Sequence, residues 1–282
     1  PMHLYRAHNW HCFDDIRHRQ PYGAIYTSLG CPFRCSFCCI NAPFGEHTIR
    51  YRSPERVLEE IDLLVTRYGV KNLKIVDELF ILNKRHYMPI VNGIIERGYE
   101  LNIWVYARVD TIDYDVLPLL KKAGINWFAL GIESANPLVR DEVTKNMHRD
   151  DILSVVRRIQ SAGIRVIGNY IFGLPSDTFE TMRETLALAK ELNCEYANMY
   201  SVMAYPGSRL YEETAAGHPE LEMSIALTDQ QLSTNSGYYY LNNGKCMSSA
   251  KRLPGRHLAL TIGELAEKIL SPLHPYMSLM LN

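Results

Sequence analysis

Three cysteines, Cys31, Cys35 and Cys38, stand in the run GCPFRCSFCC directly after a short β-like segment. Their C-x3-C-x2-C spacing puts three thiolates on one tight loop, with no fourth ligand at a matching distance. A closed structural zinc site takes four ligands, usually as two well-separated pairs. Ordinary ferredoxin clusters likewise take four cysteines. Three close thiolates suit a four-iron four-sulfur cluster in which one iron has no protein ligand. An iron of that kind can bind a small molecule and pass it an electron, which is an enzyme's arrangement. The competing explanation is three structural or redox cysteines gathered by chance. Cys39 adds a fourth sulfur, but neighbouring residues seldom both reach one cluster, so it is assigned to loop packing.

This loop, with the aromatic Phe37 just before its last cysteine, resembles that of the radical S-adenosylmethionine (SAM) superfamily. The resemblance implies that the open iron chelates the amino and carboxylate groups of SAM. Reductive cleavage of the sulfonium then gives a 5′-deoxyadenosyl radical that abstracts hydrogen from a substrate. It places Phe37 near the adenine. It also implies a small-molecule substrate, which no residue names, and an electron donor such as flavodoxin or ferredoxin.

The elements that must position the loop alternate with a regular beat from Gly23 to Ala204. Strands are expected at Ala24–Ser28, Asn72–Val76, Leu101–Tyr106, Trp127–Ile132, Arg165–Ile171 and Ala197–Val202. Amphipathic helical stretches lie between them at Pro54–Tyr68, Lys84–Arg97, Tyr114–Ala123, Pro137–Ala162 and Thr178–Leu192. Gly98, Gly124 and Gly163 each stop a helical pattern just before an apolar run, as glycines past a helix end do. Such units make a parallel sheet with right-handed crossovers. An eight-unit barrel takes about 250 residues, more than this stretch holds, so an α/β partial (β/α)6 TIM-like barrel is expected. A doubly wound sheet fits the alternation equally well, and the cysteine loop decides for the barrel. The expected division is a linker-like segment 1–22, a core 23–212 and an irregular C-terminal extension 213–282.

In a barrel of parallel strands the chemistry sits at the C-terminal strand ends. The second strand ends in Asp77-Glu78, of which one carboxylate can face a cationic amine while the other turns to a neighbouring loop. In the superfamily an acidic motif here binds the amino group of SAM. The third ends near Arg108, a natural bidentate carboxylate ligand. It suits the SAM carboxylate, or else an ion pair with Asp110 or Glu133. The fourth ends in Glu133-Ser134, where the superfamily contacts the ribose or methionyl part. A buried glutamate needs a partner. Asn169 on the fifth strand is either a ligand contact or a satisfied core amide. Backbone groups near Ala204, after the sixth, resemble the superfamily's adenine contacts.

Thirty basic against thirty-one acidic residues, a net charge of −1, give no electrostatic case for a nucleic-acid partner. No apolar run approaches the roughly 20 residues of a membrane span. Seven cysteines without a paired framework point to a reducing, cytosolic setting. The phrases RAHNWHCF, LNIWVYARVDT, LGIES and NYIFGLP look more narrowly like proteins that join a cobalamin-binding domain to a radical SAM domain. No D-x-H-x-x-G cobalamin motif is present, and the chain opens on Pro1. It is therefore expected to be a core severed from such a domain, and to take cobalamin only through that missing part. His8, His11, Cys12, His47 and His86 are assigned no chemistry. The leading expectation is a radical SAM enzyme, one of methylation or rearrangement if cobalamin is recruited. The alternative is a non-catalytic iron–sulfur electron carrier.

Overall fold

The computed structural model describes residues 21–145 and 149–217. Six parallel strands form one sheet: β1 (Tyr22–Ile25), β4 (Asn72–Ile75), β5 (Asn102–Arg108), β6 (Ile125–Glu133), β7 (Arg165–Phe172) and β8 (Tyr196–Ser201). They are ordered in space as they are in sequence. A doubly wound sheet would reverse its order at a switch point, so the sequential order selects the barrel-like wall. The two outer strands, β1 and β8, do not pair with each other.

The helices arise where the local signals lie. Ser53 caps α1 (Pro54–Tyr68), accepting from Arg56 N, with Pro54 in the first turn. Asn83 caps α2 (Lys84–Arg97) through Arg85 N, and Thr178 caps α6 (Phe179–Leu192) through Thr181 N. Alternate strand residues face these helices. Ile103 and Val105 of β5, Phe128, Leu130 and Ile132 of β6, and Val166 and Phe172 of β7 join the main core with Ile61, Ile90 and Leu188. Each such fully buried side chain contributes about 1.5–3 kcal/mol. The opposite, lumenal face holds a smaller cluster of Trp104, Trp127, Ala129 and Ile167.

Three expectations need correction. The first strand is not Ala24–Ser28, because β1 starts at Tyr22 and stops at Ile25. The chain then leaves the sheet, and β2 (Ser28–Leu29) pairs antiparallel with β3 (Arg50–Tyr51). The cause is Asp77, which draws Thr27 and Ser28 to itself. The stretch 114–123 is a 3-10 turn at Tyr114–Val116 followed by the short α3 (Leu117–Lys122). The stretch 137–162 divides into α4 (Pro137–Glu142) and α5 (Arg149–Ser161), since Thr144 takes a left-handed φ of 61° and Lys145 turns inward.

The last helix among the described residues, α7 (Arg209–Gly217), runs across the expected boundary at residue 213. The linker-like segment up to residue 20, with His8, His11 and Cys12, lies outside the described residues, as does the extension from residue 218 with Cys246. Among the described residues no helix is long and apolar enough to cross a membrane.

Candidate active site at the C-terminal rim of the barrel

The cysteine loop leaves β2 through Gly30, whose φ of 93° is left-handed and where a Cβ would run into the Thr48 carbonyl. Asn41 then closes the loop on itself. Its Oδ1 accepts from Cys31 N at 3.1 Å and its Nδ2 donates to Cys31 O at 2.7 Å. His47 Nδ1 lies 2.9 Å from both the Asn41 amide and the Phe33 carbonyl, serving one or the other according to its tautomer. Ser36 stitches the loop to two other elements, with Ser36 N donating to Val143 O at 3.2 Å and Leu210 N donating to Ser36 O at 2.8 Å. Phe37 packs against the cluster of Val139, Val143 and Leu174, as do Ile171 and Val202.

Cys31, Cys35 and Cys38 are half-buried and within electrostatic reach of one another. Burial pushes the Cys38 thiol up to about 11, and the charges of Glu78, Cys35 and Cys31 add to the effect. Burial likewise raises Cys31, with Arg108 acting in the opposite direction. Deprotonating Cys31 and Cys38 is thus opposed until a cationic group shares the loop. Among the described residues no set of three or more His, Cys, Asp or Glu closes around a single ion. The charge of Cys39 reaches Tyr205, whose phenol is raised by burial first and then by Cys39.

The two adjacent carboxylates divide their work. Asp77, 1% exposed, accepts from Thr27 N at 2.6 Å, Thr27 Oγ1 at 2.5 Å and Ser28 Oγ at 2.6 Å. His86 Nε2 lies 3.1 Å from the same threonine hydroxyl. Asp77 therefore anchors the neighbouring loop, and Glu78 is left for the cleft. Glu78 is open at the mouth yet surrounded by protein atoms. Burial, then the Asp77 charge, raises its carboxyl.

Arg108 ends β5 and forms the first of the ion pairs expected for it. Its Nε and Nη2 each donate to Asp110 at 2.8 Å, while Nη1 points at Cys35 Sγ, 3.5 Å away. The guanidinium lies 3.8 Å above the centre of the Phe33 ring. Glu133 pairs instead with Lys145, both side chains nearly buried at 8% and 5%. The backbone bends sharply to allow this. Glu133 has a left-handed φ of 65°, and the β6–β7 register shifts between Gly131 and Glu133. A left-handed non-glycine residue costs on the order of 1–3 kcal/mol. Removing one member of a buried ion pair costs about 3–5 kcal/mol.

Ser134 turns away from the cleft. Fully buried, its hydroxyl lies 3.2 Å from Thr185 Oγ1 on α6 and accepts from Asn136 N, while Arg140 donates to its carbonyl. Asn169 lies across from Gly131 and Asn198 in the sheet. It donates to Leu130 O at 3.2 Å and accepts from Asn198 Nδ2 at 3.0 Å. Ala204 is half-buried on the irregular stretch after β8. The rim thus gathers the three cysteines, Glu78 and Arg108, with Phe37 on the β6–β8 side. Lys145, Asn41 and His86 are the participants that sequence reasoning missed or set aside. Only Lys145 left a trace, as the partner a buried Glu133 demanded.

The pattern of the family described as the radical SAM superfamily matches residues 25–189. An uncharacterized methyltransferase of Pyrococcus horikoshii is 33% identical over 72% of this chain and 44% of its own length. An anaerobic magnesium-protoporphyrin IX monomethyl ester cyclase of Rubrivivax gelatinosus is 31% identical over 65% of this chain and 33% of its own. The chain thus spans less than half the length of these relatives. The solved structure of the radical SAM methyltransferase TsrM from Kitasatospora setae, with cobalamin and a [4Fe-4S] cluster bound, has the same fold. It superposes with a TM-score of 0.63 at 23% identity, over 70% of this chain and 37% of that one.

Proposed function

This chain belongs to the radical SAM superfamily, and on that premise we propose that it carries a four-iron four-sulfur cluster on Cys31, Cys35 and Cys38 and cleaves SAM reductively. One observation carries the reading: three thiols gather on one loop at the C-terminal rim, close enough that the charges of Cys31 and Cys35 bear on Cys38. When bound, the cluster supplies the open iron and the electron. The chain's own residues do the rest. Asn41 holds the loop shut around Cys31, and Asp77 fixes the corner from which the loop departs. Arg108, clamped by Asp110, directs Nη1 toward Cys35 and places a positive charge beside the incoming SAM carboxylate. Glu78 accepts from the SAM amine. Glu133 faces the ribose, with Ser134 fixing the strand end behind it. Phe37, Asn169 and the backbone at Ala204 line the adenosyl side.

The core 23–212, lengthened by Tyr22 at its start, works as the radical SAM part of a larger assembly. Its relatives named as methyltransferases, and the cobalamin bound in TsrM, support methylation of a small molecule with cobalamin supplied from outside this chain. A flavodoxin or ferredoxin in a reducing, cytosolic setting would supply the electron. The test is anaerobic reconstitution followed by dithionite and SAM. Methionine and 5′-deoxyadenosine are expected in equal amounts. A redox-active cluster that leaves SAM intact would return the chain to the electron-carrier reading.

A further inference from the structure

We propose that Lys145 is the positioning residue that aims Glu133 at the ribose hydroxyls of SAM. The inference rests on the preceding reading that Glu133 faces SAM, and adds to it the device that makes this possible. Glu133 and Lys145 are paired and nearly buried, at 8% and 5% side-chain exposure. Lysine takes only Oε1. Among the described residues Oε2 accepts no hydrogen bond, so an acceptor-only group keeps one oxygen for an outside donor.

The backbone around the pair is built for it at visible cost. Three non-glycine residues have positive φ among those described: Glu133 of this pair at 65°, Thr144 next to Lys145 at 61°, and Asn193. Thr144 is β-branched, for which the left-handed region is a true outlier. The turn after α4 is closed by Thr144 N on Asp141 O and Lys145 N on Arg140 O, which turns the lysine inward where a continuous helix would carry it past. On β6, the bulge after Gly131 swings Glu133 toward it. A Cβ at Gly131 would stand 2.5 Å from both Glu133 Oε1 and Lys145 Nζ, so a side chain there would push the ends of the pair aside. Strain of this kind, concentrated on one pair at the rim, is where ligand-aiming geometry is found.

The experiment measures SAM and 2′-deoxy-SAM binding by calorimetry to the anaerobically reconstituted full chain, without reductant, alongside iron content. For Lys145→Met we expect about tenfold to hundredfold weaker SAM binding with iron content unchanged. The wild-type preference for SAM over its 2′-deoxy analogue should vanish as well. Lys145→Arg should restore both affinity and preference, since it restores a donor to Oε1. Gly131→Ala should behave like Lys145→Met, and it carries the test if the lysine variant loses its iron. Wild-type affinity with the ribose preference intact in Lys145→Met overturns the proposal while leaving SAM binding by the chain in place. A reconstituted wild-type chain that does not bind SAM overturns the underlying reading itself.

Discussion

At the scale of single residues, four sulfurs crowd one loop, and the charges of Cys31 and Cys35 bear on Cys38. The charge of Cys39 bears on Tyr205. Changing Cys31, Cys35 or Cys38 to alanine should therefore abolish iron loading after anaerobic reconstitution, while Cys39→Ala and Cys194→Ala should keep about four irons per chain. Iron analysis decides this, and equal damage from Cys39→Ala and Cys35→Ala would sink the ligand assignment. The cysteines were legible because their spacing alone carries their chemistry. Asn41 was not, since an asparagine ten residues from Cys31 has no meaning until the loop brings its amide to the Cys31 backbone.

At the scale of elements, the corner between β1 and β2 depends on one carboxylate. Asp77 ends the run after β4 and satisfies the Thr27 amide and two hydroxyls from the neighbouring strand. Asp77→Ala would leave those buried donors without an acceptor, at about 1–3 kcal/mol for each one not rehydrated. We expect a drop in stability of about 3 kcal/mol in urea unfolding, together with poor iron loading, because the cysteine loop starts from this corner. Asp77→Asn, which keeps one carbonyl acceptor, should lose less. If Asp77→Ala unfolds at the wild-type midpoint, the anchor is unimportant. The helix starts at Ser53 and Asn83 could be read from local caps. The division of the stretch 137–162 into α4 and α5 could not, since it occurs where Lys145 pairs with Glu133, a residue of another element.

At the scale of the whole molecule, the chain matches 37% of a structure that holds both cobalamin and a cluster. Its own rim residues are engaged with the cysteine loop, Asp110 and Lys145. Equilibrium dialysis with hydroxocobalamin should accordingly show no stoichiometric binding by this chain alone. A shifted corrin spectrum at one equivalent would mean that the barrel makes a cobalamin site of its own. The alternation of strand and helix, the glycine stops and the three-cysteine loop were all visible before folding, because each is set by residues near in sequence. Sequential strand order was not, since periodicity reads the same in a barrel wall and a doubly wound sheet; the pairing of each strand with its sequence neighbour settles it. Nor was the partner of each rim charge. Arg108 had two candidate carboxylates in the sequence, and its pairing with Asp110 follows from the turn after β5, which brings that carboxylate against the guanidinium. Glu133 finds Lys145 because a bulge, a bare Gly131 and a left-handed Thr144 turn two distant side chains into one buried pair, and those are properties of backbone geometry rather than of residue type.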